Sequence, residues 1–219
     1  MTNIKICGIT NMREIDYLNR SKVDYAGFVF YEKSKRYITP GSAQELAKAL
    51  LPEIKKVAVT VDPDRELVKE IEDRGFDILQ VHGNPAFGVI KDSAIPVWYA
   101  INTKDIEKLD EEICRIDGLL QGESQKIEAF VADAPVFGSG QTFDWTGSRR
   151  PDTKSRMFIL AGGLNAGNVV KGIKIFNPDA VDVSSSVEGE HGKDEKKIKE
   201  FVAAVRDIKE CVRTGGDNE

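Results

Sequence analysis

The chain has 219 residues, 41% hydrophobic and 31% charged, with a formal net charge of −5: enough for a substantial core in one large domain or two small ones, and too acidic for a general affinity for nucleic acid or anionic membrane. Three cysteines (Cys7, Cys114, Cys211) lack the short spacing of a zinc or redox motif, and two histidines (His82, His191) exclude a histidine-rich metal site. Strand-like sequence begins at once, leaving no room for a signal peptide, and no apolar stretch approaches the about 18 residues of a membrane span, so a reduced, cytoplasmic, soluble protein is expected.

Taken in chain order, short runs rich in Val, Ile and Phe read as buried strands. The first two are IKICGI (4–9) and AGFVFY (26–31). A helix follows over 41–51, opened by Pro40-Gly41-Ser42, with Ala43, Leu46, Ala47 and Leu50 on one face. KVAVTV (56–61) is next, then a helix started by Pro63-Asp64, then DILQVHG (77–83) and PVWYAIN (96–102). The segment 103–126 is helical in composition but longer than the other connections. IEAFVADA (127–134) and MFILAGG (157–163) lead to a helix opened by Asn165. AVDVSSS (180–186) precedes a final helix with Ile198, Phe201, Val202, Val205 and Ile208 on one side.

Eight strands alternating with helices predict a parallel sheet, and the count fits a closed (β/α)₈ barrel over 1–213 with a polar tail at 214–219. The alternative is an open doubly wound sheet, but it lacks a G-x-G-x-x-G after the first strand.

In a barrel, side chains alternate between the interior and the helix layer, and chemistry sits at the C-terminal strand ends. With Ile4 and Ile6 facing out, Lys5 and Cys7 point in. By the same parity Gln80, His82, Asp133, Asp182 and Ser184 point in. Each has an ordinary reading: a strand cysteine is usually core packing, a histidine can be a satisfied core residue, and an aspartate can cap a loop. An inward Lys5 is costly unless paired, and Asp182 is the expected partner. Convergence of so many ionisable groups on one rim favours a site. AGGLN and DVSSSVE, at the last two strand ends, suit a phosphate held by backbone N–H groups. KSKRYITP (33–40) places Lys33, Lys35 and Arg36 above the barrel mouth, where a guanidinium suits a carboxylate.

The motifs KICGIT, GFVFYEKSKRYI, LQVHG, GSGQTFDW, LAGGLNAGNV and VDVSSSVE resemble, in order and spacing, the phosphoribosylanthranilate isomerases of tryptophan biosynthesis, a (β/α)₈-barrel family. The resemblance spans 4 to about 201. It implies Cys7 as general base and Asp133 as general acid. It further implies Arg36 at the anthranilate end of the substrate, His82, Asp182 and Lys5 as further substrate-binding residues, and Gly162, Gly163, Ser184 and Ser185 around the phosphate. No metal or cofactor is implied; the partner is a small phosphosugar-anthranilate substrate, with monomer and homodimer both compatible. Three departures stand out: Ser186 where members often have glycine, VADA at the end of the sixth strand, and a 103–126 segment that resembles nothing specific.

The implied reaction is an Amadori rearrangement. An acid protonates the furanose oxygen to open the ring, and a base removes the C2 proton. Nearby cations such as Lys5 would favour the Cys7 thiolate. Competing readings are the analogous histidine-pathway isomerase, which uses two aspartates, ribulose-phosphate epimerase, whose metal-binding histidines are missing here, and a barrel that only binds phosphosugars.

Overall fold

The computed structural model describes residues 1–85, 87–102, 108–120, 126–133, 145 and 148–208. The polar tail expected at 214–219 lies outside them, as do Cys211 and most of GSGQTFDW. Eight parallel strands close on themselves: β1 (Asn3–Cys7), β2 (Tyr25–Val29), β3 (Lys55–Val61), β4 (Ile78–His82), β5 (Val97–Asn102), β6 (Ile127–Asp133), β7 (Met157–Leu160) and β8 (Ala180–Val183). The seam is β1 against β8, in register from Asn3↔Ala180 to Ile6↔Val183. That pairing excludes the open sheet.

The helices are α1 (Met12–Ser21), α2 (Pro40–Ala47), α3 (Arg65–Asp73), α4 (Phe87–Asp92), α5 (Lys108–Leu120), α6 (Val169–Phe176) and α7 (Glu195–Arg206). Several start on the short polar residues that satisfy free N–H groups. The Asn11, Thr39, Asp64 and Asp194 side chains each accept from a backbone N–H in the first turn, and Pro40 occupies the first turn of α2. The 103–126 segment contains α5, whose Leu109, Ile113, Ile116 and Leu120 are buried. After β8 come a 3₁₀ turn (Ser185–Val187) and a small antiparallel hairpin, β9 (Glu188–Gly189) with β10 (Gly192–Lys193). Among the described residues no helix is long and apolar enough to cross a membrane.

Strand alternation divides the core in two. Ile4, Ile6, Phe28, Leu79, Phe130, Phe158 and Val181 pack outward against the helices. Tyr25, Val57, Ile78, Trp98, Ala129, Val131, Ile159 and Ala180 fill the interior, with the Tyr25 and Trp98 rings edge to face at 4.8 Å.

At the N-terminal face, one device recurs. Asp24, Asp77 and Asp179 each stand just before a strand, and each carboxylate accepts a backbone N–H from the preceding strand in the ring. The donors are Ile4, Lys56 and Phe158, each at 2.7 Å. These bonds fix the start of β1 to β2, β3 to β4 and β7 to β8, so the bottom of the barrel carries register and the top is left for chemistry.

One interior position is a glycine for a steric reason. A Cβ at Gly27 on β2 would lie 2.9 Å from Cys7 Sγ and 3.2 Å from Lys5 Cε. The strand thus yields its own side-chain space to Cys7 and Lys5 on β1. Gly27→Ala is expected to destabilise the fold by about 1–3 kcal/mol through overpacking. Urea unfolding of the variant measures this, and an unchanged midpoint would show that the thiol and ammonium are not wedged as described.

Candidate active site

A cavity of about 390 Å³ opens at the C-terminal ends of the strands. Its lining brings together Cys7, Arg36, His82, Asp133, Asp182, Gly162, Gly163, Ser184 and Ser185, residues spread over six strand ends. The inward parity of Cys7, His82, Asp133 and Asp182 thus puts all four on the wall of this cavity. Lys5 is the exception. It does not line the cavity and has no exposed surface. It lies beneath the cavity floor. The reason is depth: Lys5 is two residues earlier on β1 than Cys7, one full strand repeat lower in the barrel.

Lys5 Nζ donates to Asp182 Oδ2 at 2.6 Å, which is the pairing that sequence parity predicts. Burial alone would draw the Lys5 pKa down, but the Asp182 carboxylate and Cys7 more than reverse this and hold the ammonium charged. Asp182 Oδ1 is buried and makes no hydrogen bond, at a residue that lines the cavity. That oxygen is a buried acceptor with no donor among the described residues.

The same environment acts on Cys7. Burial pushes its thiol above the usual value, while Lys5 and, more weakly, Lys193 pull it back and Asp182 adds to the rise. Lys5 thus favours the thiolate as its charge requires, yet desolvation wins in the sum. Cys7 and Cys114 are free thiols.

His82 ends β4 and is nearly fully buried. Burial and then Lys5 push its pKa down to about 4, against a bond to Asn102 that raises it. Gln80 Nε2 lies 2.8 Å from His82 Nε2, and with the amide as donor the ring nitrogen accepts, which a neutral imidazole does. His82 is therefore a neutral polar wall of the cavity at physiological pH.

The loops after β7 and β8 form the other side. Gly162 and Gly163 both have positive φ (77° and 63°), a backbone path that L side chains rarely take. Asn168 Nδ2 donates to the Gly163 carbonyl at 3.0 Å, and the Asn168 side-chain oxygen accepts from the Asn165 N–H. The helix itself begins later than the sequence suggests. Asn165 accepts from Gly167 and Asn168 in a local turn, and α6 starts at Val169 with Asn168 in the cap position. Two asparagines three residues apart offer the same cap signal, so spacing could not choose between them. Ser186 is not among the positive-φ residues, and its hydroxyl donates to the Leu164 carbonyl. Its side chain ties the two loops together and meets no backbone strain.

Sequence reading missed two charged residues beside Arg36. Glu188 accepts from Arg36 Nε at 2.5 Å and from Arg36 Nη2 at 3.1 Å. The ammonium of Lys193, a buried residue, also binds Glu188, at 2.9 Å. Glu188 is the last letter of VDVSSSVE, but nothing local reveals that it folds back onto a loop some 150 positions earlier. Arg36 itself lies across Gly8, where a Cβ would come within contact distance of the Arg36 side chain and where φ is +84°.

The sequence matches the family model for N-(5'phosphoribosyl)anthranilate (PRA) isomerase over residues 4–204. The chain belongs to the PRA isomerase family. It is 39% identical over 207 residues to N-(5'-phosphoribosyl)anthranilate isomerase of Streptococcus pneumoniae (strain Taiwan19F-14), covering 94% of this chain and 96% of the relative. The Acetivibrio thermocellus isomerase is 38% identical over 222 residues, covering 94% and 97%. Phosphoribosyl anthranilate isomerase from Thermotoga maritima superposes with a TM-score of 0.80 at 31% identity, covering 94% of this chain and 99% of that one. A PRA isomerase in complex with reduced 1-(o-carboxyphenylamino)-1-deoxyribulose 5-phosphate superposes at 0.78 with 30% identity and the same coverage. The barrel expected from strand periodicity is thus the PRA isomerase barrel.

The buried neutral His82 makes this PRA isomerase family member acid-sensitive in a defined window. The unfolded chain binds a proton on this histidine near pH 6.5, whereas the folded chain resists until about pH 4. Stability from this group is therefore complete above pH 6.5 and is lost as pH falls towards 4, by about 3 kcal/mol. Denaturant unfolding at pH 7 and pH 4 should show His82→Asn losing less stability than wild type by about that amount. Equal losses in the two proteins would overturn the neutral, buried assignment.

Proposed function

We propose that this chain catalyses the Amadori rearrangement of N-(5-phospho-β-D-ribosyl)anthranilate to 1-(2-carboxyphenylamino)-1-deoxyribulose 5-phosphate. This is the isomerase step of tryptophan biosynthesis, and we assign it to the cytoplasm. The observation that carries this reading is the placement of Cys7 and Asp133 in one cavity, at the ends of β1 and β6, in a chain of the PRA isomerase family. β1 and β6 stand three places apart around the closed ring of eight, so the two groups face a bound molecule from different walls.

The residues then take distinct roles. Asp133 donates a proton to the furanose oxygen as the C1–O bond breaks and an imine forms. Cys7, as thiolate, takes the proton from C2, and the resulting enol-amine tautomerises to the ketone. Each step is a proton transfer, and the chain's own groups suffice for it. Because burial pushes the Cys7 thiol up, the thiolate is a minor form near neutral pH. Lys5 and Lys193 are the cations that set its population. Gly162, Gly163, Ser184 and Ser185 hold the phosphate through backbone N–H groups and hydroxyls. Arg36 binds the anthranilate carboxylate, and Asp182, on the cavity wall, faces the ribose.

The decisive measurement follows loss of anthranilate-adduct fluorescence on adding the protein. Cys7→Ser and Asp133→Asn are each expected to lower kcat by about 10²–10⁴-fold with KM little changed. Turnover within a few-fold of wild type in either variant would remove that residue from the mechanism. No turnover by the wild-type chain would leave the reading of a barrel that only binds phosphosugars.

A further inference from the structure

Arg36 is held by an arrangement that the reaction does not by itself require. Its guanidinium presents five N–H groups in a fixed plane. Glu188 takes Nε–H and one Nη2–H in a two-point contact. That contact occupies one edge of the plane and leaves the Nη1/Nη2 edge, which matches a second carboxylate in the same two-point fashion. A long flexible side chain is thereby converted into a donor pair of fixed direction.

Glu188 is itself fixed. Its Oε1 accepts from Lys193 Nζ at 2.9 Å, and Lys193 Nζ also donates to the Ser184 carbonyl and hydroxyl, each at 3.1 Å. The Ser184 hydroxyl in turn donates to the Cys7 carbonyl at 2.9 Å. The Lys193 backbone N–H donates to Glu14 Oε1 at 2.8 Å, and Glu14 Oε2 accepts from the Thr10 N–H at 2.6 Å. One connected network therefore joins the loops that follow β1, β2 and β8. Burial pushes the Glu188 carboxyl up, but Arg36 and Lys193 outweigh it and bring the pKa to about 2, so the contact stays ionic throughout the working range.

We propose that Glu188, braced by Lys193, is a positioning residue that aims the free edge of Arg36 at the carboxylate of the substrate. Glu188 touches no reacting atom; it acts through Arg36. The proposal rests on the function assigned above, and its test separates the two. The test compares N-(5-phosphoribosyl)anthranilate with the carboxyl-free N-(5-phosphoribosyl)aniline, using wild type, Glu188→Gln, Glu188→Asp, Arg36→Met and the Arg36→Met/Glu188→Gln double variant.

Glu188→Gln is expected to raise KM for the carboxylated substrate by about ten-fold or more while kcat changes less. It should change KM for the carboxyl-free substrate by no more than about two-fold, because no carboxylate is there to be aimed at. In the Arg36→Met background the Glu188→Gln change should cost nothing further, since residues that act as one unit are non-additive. Glu188→Asp keeps the charge balance among the surrounding cations, and so the fold, while withdrawing the carboxylate by one methylene. Its KM should fall between those of wild type and Glu188→Gln.

Equal impairment of both substrates, additivity with Arg36→Met, or wild-type KM in Glu188→Gln would each overturn the positioning role. If Arg36→Met kept the preference for the carboxylated substrate, the proposal would fall with the role of Arg36. Failure of the wild-type chain to convert N-(5-phosphoribosyl)anthranilate would instead overturn the assigned function.

Discussion

Lys5 enters the barrel on β1 with no exposed surface, and its ammonium lies 2.6 Å from the carboxylate of Asp182 on β8. The two residues are direct register partners across the seam that closes the ring. Two buried charges are expensive alone, and losing either partner of such a pair leaves an uncompensated charge at a cost of about 3–5 kcal/mol. The pair therefore bridges the two strands that close the barrel and sets the charge of its floor. Much else follows from it. Gly27 has no side chain because Lys5 and Cys7 use that space. His82 stays neutral partly because Lys5 is charged nearby. Cys7 is drawn back from the full effect of its burial by the same ammonium.

Above this floor, hydrogen bonds between loops tie the walls of the cavity together. Ser186 joins the loop after β8 to the loop after β7. Ser184, Glu188 and Lys193 join it to Cys7 and Arg36 on the other side. The loop after β8 is thus the hub of the mouth, and it lies beside the seam that Lys5 and Asp182 secure. Loops cross-linked in this way hold their polar groups in fixed directions, the condition under which preorganised electrostatics has its advantage over water.

Much of this was legible in particular residues. The period-two alternation of IKIC, LQVH and VDVS decided which side chains face inward, because a strand has only two faces. It placed Cys7, His82 and Asp182 in the interior and paired Lys5 with Asp182 before any contact was visible. What it lacked was depth: Lys5 and Cys7 share a parity, yet one lies under the floor and the other lines the cavity. Loop residues were less legible still. Asn165 and Asn168 look alike in sequence, yet the Asn165 side chain accepts from the Gly167 and Asn168 N–H groups while Asn168, at the cap position of α6, makes no side-chain capping bond. Ser186 stands out in the sequence only as a departure from glycine, and its bond to the Leu164 carbonyl shows it to be a brace.

The sequence by itself determined the number and order of the barrel strands, the inward residues on β1, β4, β6 and β8, and the family, because all three rest on local periodicity and on motifs contiguous in the chain. Tertiary structure alone decided the partners of Arg36. Glu188 lies 152 residues away along the chain, and Lys193 sits in a two-residue hairpin strand with no periodicity to read. Their meeting depends on ring closure, which brings the loop after β8 beside the loops after β1 and β2. No local pattern encodes a contact made by closing a ring.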